Sequence, residues 1–250
     1  MIKRNVWAVV LLFYVALFAG IEWLVRTDYI SRALVPRPSD LILLLQTEPV
    51  LIWTAVKQTT FLTVSAFLLG SFLAFVTGLL VHQFHFLQRT FMPLTLFLQT
   101  VPIIAIAPLL VIYLGFSSVT TITAAIIVCF FPVFMATLVG LNLARKSQRE
   151  LFYFLKAARW QNLFYLEIPS SLPTLLAGLK TAAGLAVIGV VSGEFLVGGG
   201  LGALIDSARL QQRVDIVFLA LILLAAIGLT LMKTAQFVFE WIFKKYLVRF

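Results

Sequence analysis

Charged residues are scarce in this chain of 250 residues, at 12% of the total against 62% hydrophobic residues. The mean hydropathy is +1.05, whereas a water-soluble domain carries about 25% charged residues. These values exclude a soluble globular protein and predict an integral membrane protein. The formal net charge of +9 does not indicate nucleic-acid binding, because the lysines and arginines stand at the ends of apolar segments rather than in one patch.

Cysteine and catalytic motifs are also lacking. Cys129 is the single cysteine, which excludes an intramolecular disulfide and argues against a cysteine-based metal site. His82 and His85 share one helical face but have no carboxylate near them in the sequence, so we expect interfacial histidines and no bound metal. The sequence has no nucleophile elbow, HExxH motif, paired catalytic carboxylates or P-loop. We therefore expect a chain that is not an enzyme and binds no cofactor.

Six apolar segments are long enough, at about 20 residues, to cross a membrane as helices. They cover residues 6–25, 60–82, 91–113, 118–142, 174–196 and 215–240. We expect one all-α transmembrane domain over residues 1–250, with both termini on the same side as residues 144–173, the long polar segment that we call the central loop. That side then holds Lys3, Arg4, Arg89, Arg145, Lys146, Arg149, Lys156, Arg159, Lys244, Lys245 and Arg249. The positive-inside rule therefore places the central loop and both termini in the cytoplasm.

The central loop has the spacing of a short amphipathic pair of helices. Leu151, Leu155 and Ala158 recur at i, i+4 and i+7, which is the period of one helical face. We expect Pro169 to end the helical part of the loop and Pro173 to begin the next membrane helix.

Polar and proline residues interrupt the third apolar segment. Gln99 and Thr100 precede Pro102, and Pro108 follows within the same segment. Each proline leaves a backbone carbonyl without its helical partner, which is tolerated where a helix faces a cavity or neighbouring protein. The segment is therefore either a pore-lining helix or a kinked helix of the bundle core.

Glu194 places a carboxylate at the end of the fifth segment, where an unpaired charge costs roughly 2.5–3.5 kcal/mol on insertion scales. It is either a residue of a gate or path, or a carboxylate at the outer interface that pairs with Arg209 or Arg213. In the same segment Gly189 and Gly193 form a GxxxG motif, which suits close helix contact, including contact across a dimer interface.

Two parts of the sequence resemble the permease subunits of ABC importers. The first begins at Glu150, includes residues 157–161 and 168–173 and ends at residues 176–180, and it resembles the cytoplasmic EAA loop of that family. The second, residues 99–108, resembles the family's signature in the helix that lines the translocation path. The closest resemblance is to permeases for nitrate, sulfonates, taurine and vitamin precursors. The sequence departs from the family pattern where Leu151 and Phe152 replace two alanines and Lys156 replaces a glycine.

The resemblance implies a MetI-like fold, that of type I ABC importer permeases, and a multi-pass location in the cell inner membrane. It implies two ATPase subunits that carry ATP and Mg²⁺, a second permease copy in a homodimer, an extracytoplasmic solute-binding protein, membrane lipid and no nucleic acid. The implied ATPase-coupling residues are Glu150, Leu151, Phe152, Leu155, Lys156, Ala157, Ala158, Arg159, Trp160, Leu163, Pro169 and Pro173. Among them, the side chains expected to enter a groove of the ATPase are Phe152, Leu155, Ala158 and Leu163.

The implied path residues are Gln99, Thr100, Pro102, Ala105, Pro108, Ser192 and Glu194. The resemblance as a whole implies a permease that imports a small solute and is driven by the ATP that its ATPase partners hydrolyse. The alternative is a secondary transporter or small channel that is not powered by ATP. Such a protein uses membrane carboxylates as ion or proton relays, and Glu194 and Glu22 are the candidates.

Overall fold

The computed structural model describes residues 2–247, and the described part is helical with no β-strand. The helices are α1 (Ile2–Arg26), α2 (Pro38–Thr47), α3 (Pro49–Gln83), α4 (His85–Thr100), α5 (Ile103–Leu114), α6 (Ser118–Leu141), α7 (Lys146–Phe154), α8 (Arg159–Asn162), α9 (Ile168–Val197), α10 (Gly200–Leu210) and α11 (Val214–Leu247), and a π-helical turn (Leu163–Glu167) joins α8 to α9. Arg249 and the side chains of Lys3, Arg4, His85 and Lys245 lie outside the described residues.

Three helices, α3, α6 and α9, pack closely through small residues. Gly70 of α3 faces Cys129 of α6, and Gly78 faces Thr137, eight residues further along each helix. The two helices are therefore parallel. In α9, Gly178 faces Ala136 near the end of α6. Such glycines let helix backbones approach each other in lipid, where the hydrophobic effect does not drive association.

The predicted GxxxG motif takes part in this packing. Gly193 lies so close to Thr121 of α6 that an added Cβ would be 2.7 Å from the Thr121 Cα, and Gly189 lies against Ala125. Because Gly178 faces the end of α6 and Gly193 its beginning, α9 is antiparallel to α6. The motif thus makes the close helix contact that was expected of it, and it does so within one chain rather than across a dimer interface, since both glycines are buried between α9 and α6.

The bundle has two ends, which we name the loop end, where the central loop lies, and the far end. A buried apolar cluster near the loop end includes Phe134, Leu138, Leu172 and Phe239. A second cluster near the far end joins α10 to its neighbours and is formed by Leu44, Ile52, Ala55, Val187, Leu201, Leu204, Ile205, Ala208, Ile216, Leu219, Ala220 and Leu224. Helix α10 thus lies on the opposite end of the bundle from the central loop.

Four helical stretches of the described chain are long and apolar enough to cross a membrane, namely Pro49–Gln83, Ser118–Leu141, Arg159–Val197 and Val214–Lys244. Each contains most or all of one predicted span. The predicted span 91–113 is instead divided into α4 and α5, because the chain is extended at Val101 and Pro102. A residue before proline avoids the helical conformation, so the break falls there. The predicted span 6–25 lies within α1.

The helix that contains the fifth predicted span, 174–196, begins earlier than expected. The helical coil runs without a break from Arg159 to Val197, so Pro169 does not end it and the prediction was wrong. The π-helical turn immediately before Pro169 widens the coil where the proline ring would meet the carbonyl of the preceding turn. Pro173 lies inside α9 instead of opening it.

Candidate functional site

Hydrogen bonds close helix α7 of the central loop at both ends. At its start the Gln148 side chain accepts a hydrogen bond from the Arg145 backbone N–H, at 3.1 Å. At its end the Lys156 N–H donates to the Tyr153 carbonyl and the Ala157 N–H donates to the Phe152 carbonyl, both at 3.0 Å. This pair of bonds is the Schellman arrangement, in which one residue after the helix takes a left-handed conformation.

Lys156 is that left-handed residue, with φ at +50°. Glycine is favoured at such a position because it has no Cβ to meet the neighbouring carbonyl. Lys156 is also the position at which the sequence departs from the glycine of the permease pattern. The loop therefore keeps the turn that a glycine would make, with a lysine side chain in a strained backbone.

The central loop exposes large apolar side chains. The exposed fraction is 82% for Tyr153, 80% for Phe154 and 67% for Leu155. A second exposed group follows the turn and consists of Trp160, Phe164 and Tyr165. Apolar side chains gathered on an exposed surface indicate a surface that binds a partner or lipid. We call these six residues the apolar surface of the loop.

The four side chains predicted to enter a partner's groove do not share one face. Leu155 and Ala158 are exposed, whereas Phe152 and Leu163 are half-buried against the protein. The helical spacing was counted through Leu155 and Ala158, but the left-handed turn at Lys156 reverses the chain between them. Tyr153, Phe154, Phe164 and Tyr165 belong to the apolar surface and were missed for the same reason.

A basic cavity of about 570 Å³ lies beside the apolar surface. Its lining is formed by Arg149, Tyr153, Phe154, Lys156, Ala157, Asn162, Leu166 and Glu167. Glu167 points across to another helix, where its Oε2 lies 3.0 Å from His82 Nε2. The cavity therefore presents the positive charges of Arg149 and Lys156.

The central loop is fastened to the bundle by polar contacts. The Arg149 guanidinium donates to the carbonyls of Leu141 and Ala144, each at 3.3 Å, just after α6 ends. The contact of His82 with Glu167 fastens the π-helical turn to the end of α3. The sequence did not indicate this second contact, because 85 residues separate the two side chains.

Two cavities border the predicted path residues. Gln99 and Pro102 line a cavity of about 250 Å³ that is closed by residues of α5, α6 and α9. Ser192 lines a groove of about 600 Å³ between α9 and α11, and Ile104 of α5 reaches the same groove. Thr100, Ala105 and Pro108 are exposed on α4 and α5. The broken helix thus has cavities beside it.

Glu194 is fully buried and lines neither of these cavities. Its carboxylate accepts hydrogen bonds from the Thr59 hydroxyl, at 2.8 Å, and from the Gly202 N–H, also at 2.8 Å. The expected partners lie elsewhere, since Arg209 pairs with Asp206 and Arg213 pairs with Glu48 and Asp215, so that expectation was wrong. The glycine turn before α10 brings the start of that helix to Glu194, and both arginines follow at its other end.

Within the described chain, no three histidine, cysteine, aspartate or glutamate side chains come together as a metal site would require. The comparisons with known proteins point to transport. The family model for binding-protein-dependent transport system inner membrane components matches residues 66–246.

Three relatives show the range of similar proteins. The riboflavin transport system permease protein of Chloroflexus aurantiacus is 37% identical over 146 residues, which cover 58% of this chain and 54% of the relative. The formylaminopyrimidine transport permease protein of Halalkalibacterium halodurans is 34% identical, with 67% of this chain and 69% of the relative covered. The putative aliphatic sulfonates transport permease protein of Bacillus subtilis is 27% identical, with 90% and 83% covered. The chain thus spans about half the length of the first of these relatives.

Proposed function

The chain belongs to the family of binding-protein-dependent transport system inner membrane components, and we propose that it is the permease subunit of an ATP-driven ABC importer for a small solute. Family membership confirms three expectations from the sequence, namely a MetI-like domain, a multi-pass protein of the inner membrane and a transport component rather than an enzyme.

The observation that carries the proposal is the central loop. Its apolar surface projects from the ends of two long helices, α6 and α9, and stands next to the basic cavity. Burial of one Leu or Phe side chain contributes roughly 1.5–3 kcal/mol. A protein groove that covers Phe154, Leu155 and Trp160 therefore gains enough energy to hold the loop firmly. An ATPase subunit with acidic groups at the rim of its groove fits this surface best.

In the proposed mechanism, ATP binding draws two ATPase subunits together, and each groove moves the central loop that it holds. The loop continues directly into α9, and Arg149 fastens it to the end of α6. Both helices therefore move with the loop and change the access to the path from one side of the membrane to the other. ATP and Mg²⁺ bind to the ATPase subunits. The two helices and the path form the two-state element, and ATP shifts it from a distance.

The proposed arrangement in the membrane has six spans, formed by α1, α3, the α4 and α5 pair, α6, α9 and α11, in a single domain over residues 1–250. The loop end, both termini and the two ATPase subunits lie in the cytoplasm, which follows from the distribution of lysine and arginine. The far end then faces the extracytoplasmic solute-binding protein. A second copy of this chain completes the pair of permeases, and lipid surrounds the spans.

The proposed solute belongs to the group of nitrate, sulfonates, taurine and vitamin precursors. Relatives named for riboflavin, formylaminopyrimidine and aliphatic sulfonates support this group. The cavities beside Gln99 and Ser192 are lined by uncharged side chains. A small anion needs a basic partner in such a path, so an uncharged heterocyclic vitamin precursor fits the two cavities best.

The alternative, a secondary transporter or channel, is not favoured. It needs a membrane carboxylate that is open to a solute or ion, yet Glu194 is enclosed by Thr59 and Gly202. Glu22 is bound by the Ser39 hydroxyl at 2.8 Å and by Arg26 at 2.7 Å. Both carboxylates thus hold helices together.

The test is the substitution Leu155→Asp, which puts a charge into the contact with the ATPase. The control is Leu34→Asp, because Leu34 is 69% exposed and Leu155 67%, but Leu34 lies at the other end of the bundle. Each tagged chain is purified from membranes with its ATPase subunits, and the bound ATPase and the solute-stimulated hydrolysis are measured. We expect Leu155→Asp to lower ATPase binding at least tenfold and Leu34→Asp to leave it unchanged. Equal binding in both variants contradicts the proposal.

A further inference from the structure

Helices α3 and α9 are joined by a polar contact at each end. At the loop end, His82 of α3 meets Glu167 just before α9, at 3.0 Å. At the far end, the hydroxyl of Thr59 in α3 donates to Glu194 of α9, at 2.8 Å. The two helices are antiparallel, so the same pair of helices is fixed at both ends. We call these contacts the loop-end clamp and the far-end clamp.

The far-end clamp also forms the start of α10. The first turn of a helix leaves backbone N–H groups without partners in the helix. Here Gly200 N–H donates to the Gln58 side chain at 3.2 Å, Leu201 N–H to the Thr59 hydroxyl at 2.8 Å and Gly202 N–H to the Glu194 carboxylate at 2.8 Å. The residue that precedes α10 is Gly199, which has no side chain to offer. The acceptors for these three groups therefore come from α3 and α9.

The space for the carboxylate is built into α10. A Cβ added at Gly200 would overlap the Glu194 carboxylate, and a Cβ added at Gly202 would lie 2.6 Å from the Glu194 Cβ. Gly200 also has φ at +64°, a conformation that favours glycine. Any other residue at these positions would push α10 away from α9. The first turn of α10 therefore leaves room for the Glu194 carboxylate and donates a hydrogen bond to it.

The clamps are far apart along α9. Glu167 and Glu194 are separated by about 40 Å at a rise of about 1.5 Å per residue, and the helix between them is unbroken. A buried carboxylate that loses its hydrogen bonds is strongly destabilised. Sliding of α3 along α9 breaks both clamps and is therefore resisted.

From these contacts we infer that Thr59, Glu194, His82 and Glu167 are positioning residues for transport, which hold α3 and α9 as one rigid unit and carry movement of the central loop to α10 at the far end. The inference rests on the proposed function for the source of the movement. The clamps themselves are properties of this chain alone, so they are tested without an ATPase as well as with one.

The first experiment measures hydrogen exchange in the isolated permease. Thr59→Val keeps the side-chain shape but removes the hydroxyl, and we expect the amides of Gly200, Leu201 and Gly202 to exchange at least tenfold faster. Thr59→Ser restores the hydroxyl and is expected to keep exchange within twofold of the original chain. His82→Phe breaks only the loop-end clamp, and we expect it to raise exchange at the same amides at least threefold. Unchanged exchange in His82→Phe overturns the rigid-unit inference.

The second experiment measures solute transported per ATP hydrolysed by the complete complex in proteoliposomes. We expect Thr59→Val and His82→Phe each to lower this ratio at least fivefold. ATPase binding should be unchanged in Thr59→Val, because Thr59 lies at the far end, and Thr59→Ser should stay close to the original chain. Because the clamps act in series, the double variant should be no lower than the lower single variant. If the losses of the two single variants multiply in the double variant, the inference is contradicted. It is also contradicted if ATPase binding by Thr59→Val falls in step with the transport ratio.

The outcomes separate this inference from the proposed function. If the original chain binds no ATPase, the proposed function fails and the exchange measurement still decides whether the clamps act together. If Thr59→Val does not fold, Gln58→Leu is used, because it removes only the acceptor of the Gly200 N–H. We expect that variant to accelerate exchange at Gly200 and to lower the transport ratio about twofold. If either measurement stays at the value of the original chain, the inference is contradicted.

Discussion

Lys156 contributes two separate properties to the central loop, a strained backbone and a positive charge, and replacing it by glycine removes both. Lys156 has φ at +50° and ends α7. A left-handed conformation costs roughly 1–2 kcal/mol for a residue with a Cβ. Glycine avoids that cost but loses roughly 0.5–1 kcal/mol through its greater freedom in the open state. With the central values of these two ranges, the net gain in stability of the turn is about 0.5–1 kcal/mol.

The assay for the backbone effect is hydrogen exchange of the two amides that close the turn, those of residues 156 and 157. A gain of about 0.5–1 kcal/mol corresponds to a twofold to fivefold slower exchange. Lys156→Gln is the matched control, because it removes the charge and keeps the strained Cβ. We expect Lys156→Gln to leave the exchange rate within twofold of the original chain.

The effect of the Lys156 charge is measured separately, as the affinity of the permease for the ATPase subunit. An exposed ion pair contributes roughly 0.2–1 kcal/mol, so both variants should bind up to about fivefold more weakly, with the difference reduced at high salt. The reasoning about strain is refuted if Lys156→Gly exchanges as fast as the original chain. The reasoning about charge is refuted if Lys156→Gln binds the ATPase as tightly as the original chain at low salt.

Three further predictions concern the membrane arrangement, the path and the helix packing. A cysteine at Ser147 should be protected from a membrane-impermeant thiol reagent added to whole cells and a cysteine at Ala33 should react, and reversed labelling contradicts the proposed orientation. Gln99→Trp or Ala105→Trp should lower solute uptake at least fivefold with ATPase binding unchanged, and normal uptake would make the broken helix only a packing feature. Gly193→Ala should lower the free energy of unfolding by about 1–3 kcal/mol through overpacking against Thr121, whereas Gly184→Ala, whose added Cβ meets nothing within 4 Å, should not lower the thermal midpoint.

The sequence predicted those parts of the fold that depend on local composition. The apolar segments predicted membrane helices, and the prolines of the third one predicted a kinked or pore-lining helix where the structure has a break at Val101 and Pro102. Each of these features depends on a residue and its near neighbours, so the chain itself carries the signal.

Features that depend on distant parts of the chain could not be predicted in the same way. Thr59 and Glu194 are 135 residues apart, and no local pattern indicates that a threonine at the start of one helix serves a carboxylate near the end of another. The exposure of Tyr153 and Phe154 was also hidden, because helical spacing continues through Lys156 in the sequence but not in the structure. Pro169 was misread for a related reason, since a π-helical turn has no clear sequence signal.

The arrangement of polar and small residues explains how this bundle keeps one register in lipid. Glycines bring α3, α6 and α9 close together, but smooth helix surfaces can slide past each other by a turn with little loss of dispersion energy. A slip of one turn moves Thr59 about 5.4 Å along its axis and leaves Glu194 buried without its hydroxyl donor, which is strongly unfavourable. The polar pairs at the two ends therefore select the register that the glycines alone leave open. A transporter needs such selection, because a bundle that slips in response to force at the loop end cannot move its far end.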